Sequence, residues 1–180
     1  MAAYQQQLGN NTCITYHIHG SDKSQGEGLQ FASMDASKPQ FRRLELADYH
    51  KGFLTLLSQL TTVGEISESA WEKQFKLISG PDTPYHLYVL EENDRIVASG
   101  TVFVESKFIH ACGRVGHIED IVVDESLRGK RLGWWMLQHL TEVAKREGCY
   151  KVILDCADHN VGFYEKCGYE RKGAEMAHYF

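Results

Sequence analysis

The sequence predicts one α/β (α+β) domain, a mixed central β-sheet flanked by helices. Three observations predict it. Apolar runs of strand length alternate with stretches of helical period, in the order β-α-α-β-β-β-α-β-α-β. Two neighbouring runs are joined by the turn residues Glu92-Asn93-Asp94, which gives a hairpin inside that order. A chain of 180 residues, 43 % of them hydrophobic, is long enough for one full core.

The elements follow in chain order. Residues 1–38 include "HGSDKSQGEGLQ", rich in Gly, Ser and charge and without period; they are expected to form a mobile tail, with the domain over residues 39–180. Phe41–Leu46 reads as the first strand. Asp48 is placed to cap a helix in which Tyr49, Phe53, Leu56, Leu57 and Leu60 recur at helical spacing, and "TTVG" ends it. A second helix shows Ser69 and Glu72 at capping-box spacing, with Trp71, Phe75 and Ile78 on one face. "YHLYVLE" and "RIVASGTVFVE" make the hairpin, and "RVGHIEDIVVD" a long fourth strand. Leu132, Met136, Leu140 and Val143 stripe the next helix, which Gly148 ends. "YKVILDCA" is a strand, Asn160–Lys166 a short helix stopped at Gly168, and "GAEMAHYF" a final strand.

Composition removes several function classes. The net charge of -5 argues against general nucleic-acid or anionic-membrane binding, so an anion has to be held by a local basic site. No apolar run reaches the roughly 18 residues of a membrane span. The start "MAAYQQQLGNNTC" has neither a secretory nor a transit-peptide layout. Cys13, Cys112, Cys149, Cys156 and Cys167 are odd in number and form no CxxC pair, which argues against a disulfide framework and a structural zinc. A reducing, cytoplasmic setting is expected. Cys13, His17 and His19 sit in the polar tail, and no metal is expected.

The chemistry concentrates in Gly116–Gly133, "GHIEDIVVDESLRGKRLG". Glu119 and Asp120 interrupt an apolar strand. In a regular strand they point to opposite faces, and a β-bulge would change that. "RGKRLG", Arg128–Gly133, then lies between strand and helix. Helix N-termini carry unsatisfied N–H groups and a positive dipole end; with glycine and basic side chains they make a phosphate or pyrophosphate cradle. An ordinary basic turn has the same composition. The loop is neither GxxxxGK[ST] nor GxGxxG, so the P-loop and dinucleotide fingerprints are missing. Taken alone, the carboxylates also fit a solvated strand face, Asp155 a turn cap, Tyr164 a packing residue beside Phe163, and Lys107, His110 and Lys151 an ordinary surface.

The stretch resembles the acyl-coenzyme A site of the GNAT superfamily of N-acetyltransferases, whose loop reads Q/R-x-x-G-x-G/A. Arg131 stands where that pattern has its first glycine. "GHIEDI", "GCYKVILDC", "NVGFYEKCGY", "LTTVG" and "KFIH", in family order over residues 41–180, resemble the branch that acetylates glucosamine 6-phosphate. The resemblance implies a GNAT fold, acetyl-CoA as cosubstrate, D-glucosamine 6-phosphate as acceptor, direct attack of the sugar amine, and a homodimer with shared sites; an acetylated Cys156 is not expected, because no His–Cys constellation supports it.

It also implies residue roles. Arg128, Gly129, Lys130, Arg131, Leu132, Gly133 and Trp134 hold the coenzyme's pyrophosphate end. Backbone amides of Ile121, Val122 and Val123 hold pantetheine and the thioester oxygen, and Asn160 and Phe163 touch the coenzyme. Glu119 is the general base, Asp155 holds the amine and Tyr164 serves the leaving thiolate. Thr61, Lys107, Phe108, Ile109, His110, Glu119, Asp120, Ile121, Tyr150, Lys151 and Asp155 meet the sugar phosphate, Tyr150 and Lys151 from the partner copy. Tyr179 stands where some relatives have a phosphate-binding arginine, and Arg114 is a candidate substitute.

Overall fold

A computed structural model describes residues 38–180. Nearly all of the expected tail, with Cys13, His17 and His19, lies outside the described residues. The strands are β1 (Arg42–Arg43), β2 (Tyr85–Glu92), β3 (Arg95–Ser106), β4 (Arg114–Val123) and β5 (Cys149–Ile153). They form one sheet in the order β1-β2-β3-β4-β5. The first four are antiparallel in sequence, and β5 joins β4 in parallel. The helices are α1 (Phe53–Leu57), α2 (Glu68–Ile78), the single turn α3 (Ile109–Cys112), α4 (Leu132–Arg146) and α5 (Val161–Lys166).

Each face of the sheet has its own core. Leu132, Met136, Leu137, Leu140, Val143 and Ala144 of α4 are buried against Ala98, Val102 and Ile118 on one face. Phe53, Leu56 and Trp71 of α1 and α2 cover Val89, Ile96 and Val122 on the other. The helical stripe read from the sequence is the α4 half of this packing, as a 3.6-residue period requires.

The hairpin forms as expected, because its determinant is local: Asn93 and Asp94 both take φ > 0 (53° and 59°), the residue types that tolerate a two-residue primed turn. The first strand is shorter than expected. Asp48 is fully buried and its carboxylate receives both terminal nitrogens of Arg42, at 2.8 and 2.7 Å. Asp48 also accepts from the Glu45 amide at 2.8 Å, which turns the chain into a 3₁₀ helix, Leu46–Lys51. Gly52, at φ 75°, then separates that turn from α1, so the one expected helix becomes two. In α2 the cap is Ser67, whose Oγ accepts from Ala70 N; Ser69 lies inside the helix.

The expected final strand "GAEMAHYF" does not form. Residues 169–180 carry no strand, and Met176, Tyr179 and Phe180 are exposed. A strand needs a neighbour for its N–H and C=O groups. Nothing among the described residues pairs with this one.

Candidate active site

The site is built on a break in β4. Ser99 pairs with Val122 and Thr101 with Glu119, so Asp120 and Ile121 together oppose Gly100. Asp120 absorbs the extra residue with φ 53°. Gly100 permits the close approach of α4: a Cβ there would lie 2.8 Å from Leu140 Cδ1 and 3.1 Å from Met136 Cγ.

The bulge settles the facing of the two carboxylates. Before it, Gly116 and Ile118 face α4, and His117, whose ring lies 5.9 Å from that of Phe103, faces the other side with Glu119. After it, Ile121 returns to the α4 core and Asp120 borders a cavity of about 200 Å³ with Thr101, Ser99, Leu57 and Trp71. Glu119 and Asp120 therefore share the α1/α2 face, where strict alternation would separate them. Burial raises the pKa of the Glu119 carboxyl; the negative charges of Asp120 and Asp155 push it the same way, and His117 opposes them. Such a group is a proton acceptor moved toward neutral pH.

Beside the bulge the sheet opens. The β4–β5 pairing ends at His117–Ile153. Beyond it, among the described residues, Ile118–Val123 has no strand on the β5 side. Peptide groups at an unpaired edge can hold an extended ligand as an added strand.

The opening leads to the N-terminus of α4, fifteen residues long. Gly129 has φ 83° and open space where a Cβ would be. Arg131 caps α4 in the left-handed region (φ 63°, ψ 15°) and lays its guanidinium over the Trp134 ring at 4.9 Å. The departure from glycine thus keeps the backbone bend and adds a cation. Lys130 lies between them in the same turn. Arg128 donates from Nε to Val123 O at 3.4 Å, Leu132 is buried, and Phe163 of α5 reaches within 3.7 Å of the Gly133 Cβ position. Asn160 precedes α5 as the last residue of a 3₁₀ turn. These residues fit a pyrophosphate-bearing acyl carrier: donors and cations at a helix start, then an open strand edge.

A second cavity, about 1020 Å³, runs along β5, α4, α5 and the C-terminal segment and contains Lys151, Asp155, Cys156, Tyr164 and Glu175. It brings Asp155 and Tyr164 together. Burial raises the Tyr164 pKa, so its phenol keeps its proton at neutral pH.

The cationic side is a network. Lys107 Nζ lies 2.6 Å from Glu105 Oε1, and His117 Nε2 lies 2.9 Å from Glu105 Oε2. His110 packs on the Tyr150 ring at 4.3 Å, and Lys151 Nζ stands 5.8 Å from the same ring. His110, Ala111 and Cys112 all have φ near 55–61° or just below, a left-handed turn closed by Lys107 N donating to Gly113 O. Glu105 and His117 are additions to the sequence reading. Their signal was the i, i+2 spacing: His117 and Glu119 share one face of β4, and Lys107 follows Glu105 just past the end of β3.

Some expected residues stand apart. Phe108 and Ile109 are 97 % and 62 % exposed, at the tip of the α3 turn. Tyr179 is exposed in the segment without secondary structure. Arg114 donates to the Glu147 carbonyl at 3.0 Å. Thr61 lies just past α1, with its amide donating to Leu57 O.

Residues 40–169 match the family model described as the acetyltransferase (GNAT) family. The glucosamine 6-phosphate N-acetyltransferase of Candida albicans is 52 % identical over 137 residues, 76 % of this chain and 92 % of the relative. The glucosamine 6-phosphate N-acetyltransferase of Arabidopsis thaliana is 43 % identical over 143 residues, 78 % of this chain and 96 % of the relative. The crystal structure of the glucosamine-6-phosphate N-acetyltransferase from Arabidopsis thaliana superposes with a TM-score of 0.76 at 43 % identity, over 78 % of this chain and 97 % of that one. With the bulged strand, the splayed edge and the basic helix start in one sheet, the chain belongs to the acetyltransferase (GNAT) family.

Proposed function

We propose that this chain transfers the acetyl group of acetyl-CoA to the amine of D-glucosamine 6-phosphate, giving N-acetyl-D-glucosamine 6-phosphate and coenzyme A. The observation that carries the reading is the bulge at Asp120, which sets two carboxylates on one face of β4 beside an open strand edge. Relatives bearing the name of this reaction share 43–52 % identity over about three quarters of the chain.

The roles follow from placement. Arg128–Gly133 and Trp134, at the start of α4, hold the coenzyme's pyrophosphate by amides and cations. The edge at Ile121–Val123 holds pantetheine and donates amides toward the thioester oxygen; Asn160 and Phe163 border the same cleft. Acetyl-CoA, when bound, supplies an acyl group on a good leaving thiol. Glu119, with its raised pKa, takes a proton from the substrate ammonium, and Asp155 and Asp120 hold the amine and neighbouring hydroxyls. Tyr164 gives its proton to the departing sulfur. One C–N bond forms and one C–S bond breaks. Of the two protons the nitrogen loses, one leaves through Glu119 and the other, through solvent, restores Tyr164.

Lys107, His110, Tyr150 and Lys151 form the side that receives the phosphate; Phe108 and Ile109 follow Lys107 on the exposed α3 turn, and Thr61 is a further sugar contact from the end of α1. A homodimer fits the exposed edge of β5, the exposed Tyr150 and Ile153 on it, and the apolar ending of the chain. A partner's segment added at that edge would give "GAEMAHYF" the neighbour it lacks. No described helix is long and apolar enough to cross a membrane; the cytoplasm is the proposed setting for a chain using these two metabolites.

The test is coenzyme A release with glucosamine 6-phosphate against glucosamine. A strong preference for the phosphate ester supports the reading, and equal rates overturn the phosphate side.

A further inference from the structure

We infer that Gln59 is a positioning residue that registers the acceptor-binding segment against the coenzyme loop, through the buried carboxylate of Asp124. The inference rests on the acetyl-transfer reading above. Asp124 follows β4 directly and is 2 % exposed. It accepts from the Ser126 amide at 3.0 Å and from the Ser126 hydroxyl, and Arg95 pairs with it. Its backbone closes the turn at both ends, its amide donating to Val97 O and its carbonyl accepting from Leu127 N, each at 2.9 Å. The coenzyme loop begins one residue later, at Arg128.

Gln59 sits just past α1, two residues before Thr61. Its Nε2 donates to Asp124 Oδ2 at 3.3 Å, and its Oε1 accepts from the Glu125 amide at 2.8 Å. One side chain therefore spans from the acceptor segment to the connector that sets the coenzyme loop. Arg95 contributes at the other end of α1: its Cγ lies 3.9 Å from the Cβ position of Gly52, the cap of that helix. The helix needs neither contact to stay folded on the sheet, since Phe53 and Leu56 are buried in the core at 4 % and 2 % exposure. What the Gln59 amide adds is the position of residues 60–64 relative to the β4–α4 connector. On the acetyl-transfer reading, the first piece carries Thr61 toward the acceptor and the second sets the loop for the coenzyme.

The test is Gln59→Met, which keeps length and apolar bulk and removes both polar atoms. With wild type active on glucosamine 6-phosphate, the variant should lose about tenfold in kcat/KM for that substrate, the scale of one to two hydrogen bonds. Coenzyme A affinity should stay within about twofold, and the thermal midpoint should fall by no more than the loss of those two hydrogen bonds accounts for, since the helix anchors are intact. A variant with a lowered midpoint and unchanged kcat/KM would make Gln59 merely structural and overturn the inference, as would an unchanged variant. A wild-type protein inert toward glucosamine 6-phosphate would instead overturn the reading of the reaction.

Discussion

Glu119 and Asp120, adjacent in sequence, project from the same face of β4, because Asp120 turns through φ 53° while Gly100 alone opposes it and Ile121. That relationship depends on a glycine in another strand and on a helix packed over it, and it puts two negative charges on one face of the sheet.

Gly100→Ala should disturb it. The added Cβ would meet Leu140 and Met136, both fully buried. Overpacking of this kind costs about 1–3 kcal/mol. Denaturant unfolding should read that loss; wild-type stability would show that α4 shifts freely and that the bulge does not need glycine.

Glu119 should carry a stability cost at neutral pH. Its folded pKa is raised, chiefly by burial and then by Asp120 and Asp155. The fold thus favours the protonated form: its contribution is present below the ordinary carboxylate range and is lost as pH rises through the raised value. Glu119→Gln should raise the melting temperature at pH 7 relative to wild type, and the gap should close as the pH falls to about 4. A variant less stable than wild type at pH 7 would refute this.

Tyr164→Phe removes a protonated phenol from the cavity it shares with Asp155. Loss of a general acid costs about 10²–10⁴-fold in the chemical step. Acetyl-CoA binding should change little. Equal losses in binding and rate would reduce Tyr164 to packing.

Lys107→Ala should raise KM for glucosamine 6-phosphate and leave the slow turnover of glucosamine alone. Glu105 holds Lys107 at 2.6 Å and has its own pKa lowered by that lysine first and by His117 second. A KM rise that is equal for both sugars would place Lys107 away from the phosphate.

The parts of the fold legible in the sequence are those with local causes. Asn93 and Asp94 make the hairpin, and Leu132, Met136, Leu140 and Val143 make the α4 face. Arg128–Gly133 was legible as a basic helix start, although Arg131 hides the left-handed position that a glycine would have advertised. What escaped has distant causes. The bulge needs Gly100 against α4. The shortened first strand needs Arg42 to be held between Asp48, nearby in sequence, and Glu91 of β2, which is not. "GAEMAHYF" has strand composition but lacks a neighbour to pair with among the described residues.

The central claim is that the bulge brings Glu119 to the acceptor amine as its base. Single-turnover acetyl transfer to glucosamine 6-phosphate, with wild type and Glu119→Gln both saturated by acetyl-CoA, tests it most directly. The rate of the variant should fall by about 10²–10⁴-fold, and the wild-type rate should rise with pH through the raised Glu119 pKa. A variant that transfers acetyl at the wild-type rate, with the same pH dependence, would contradict it.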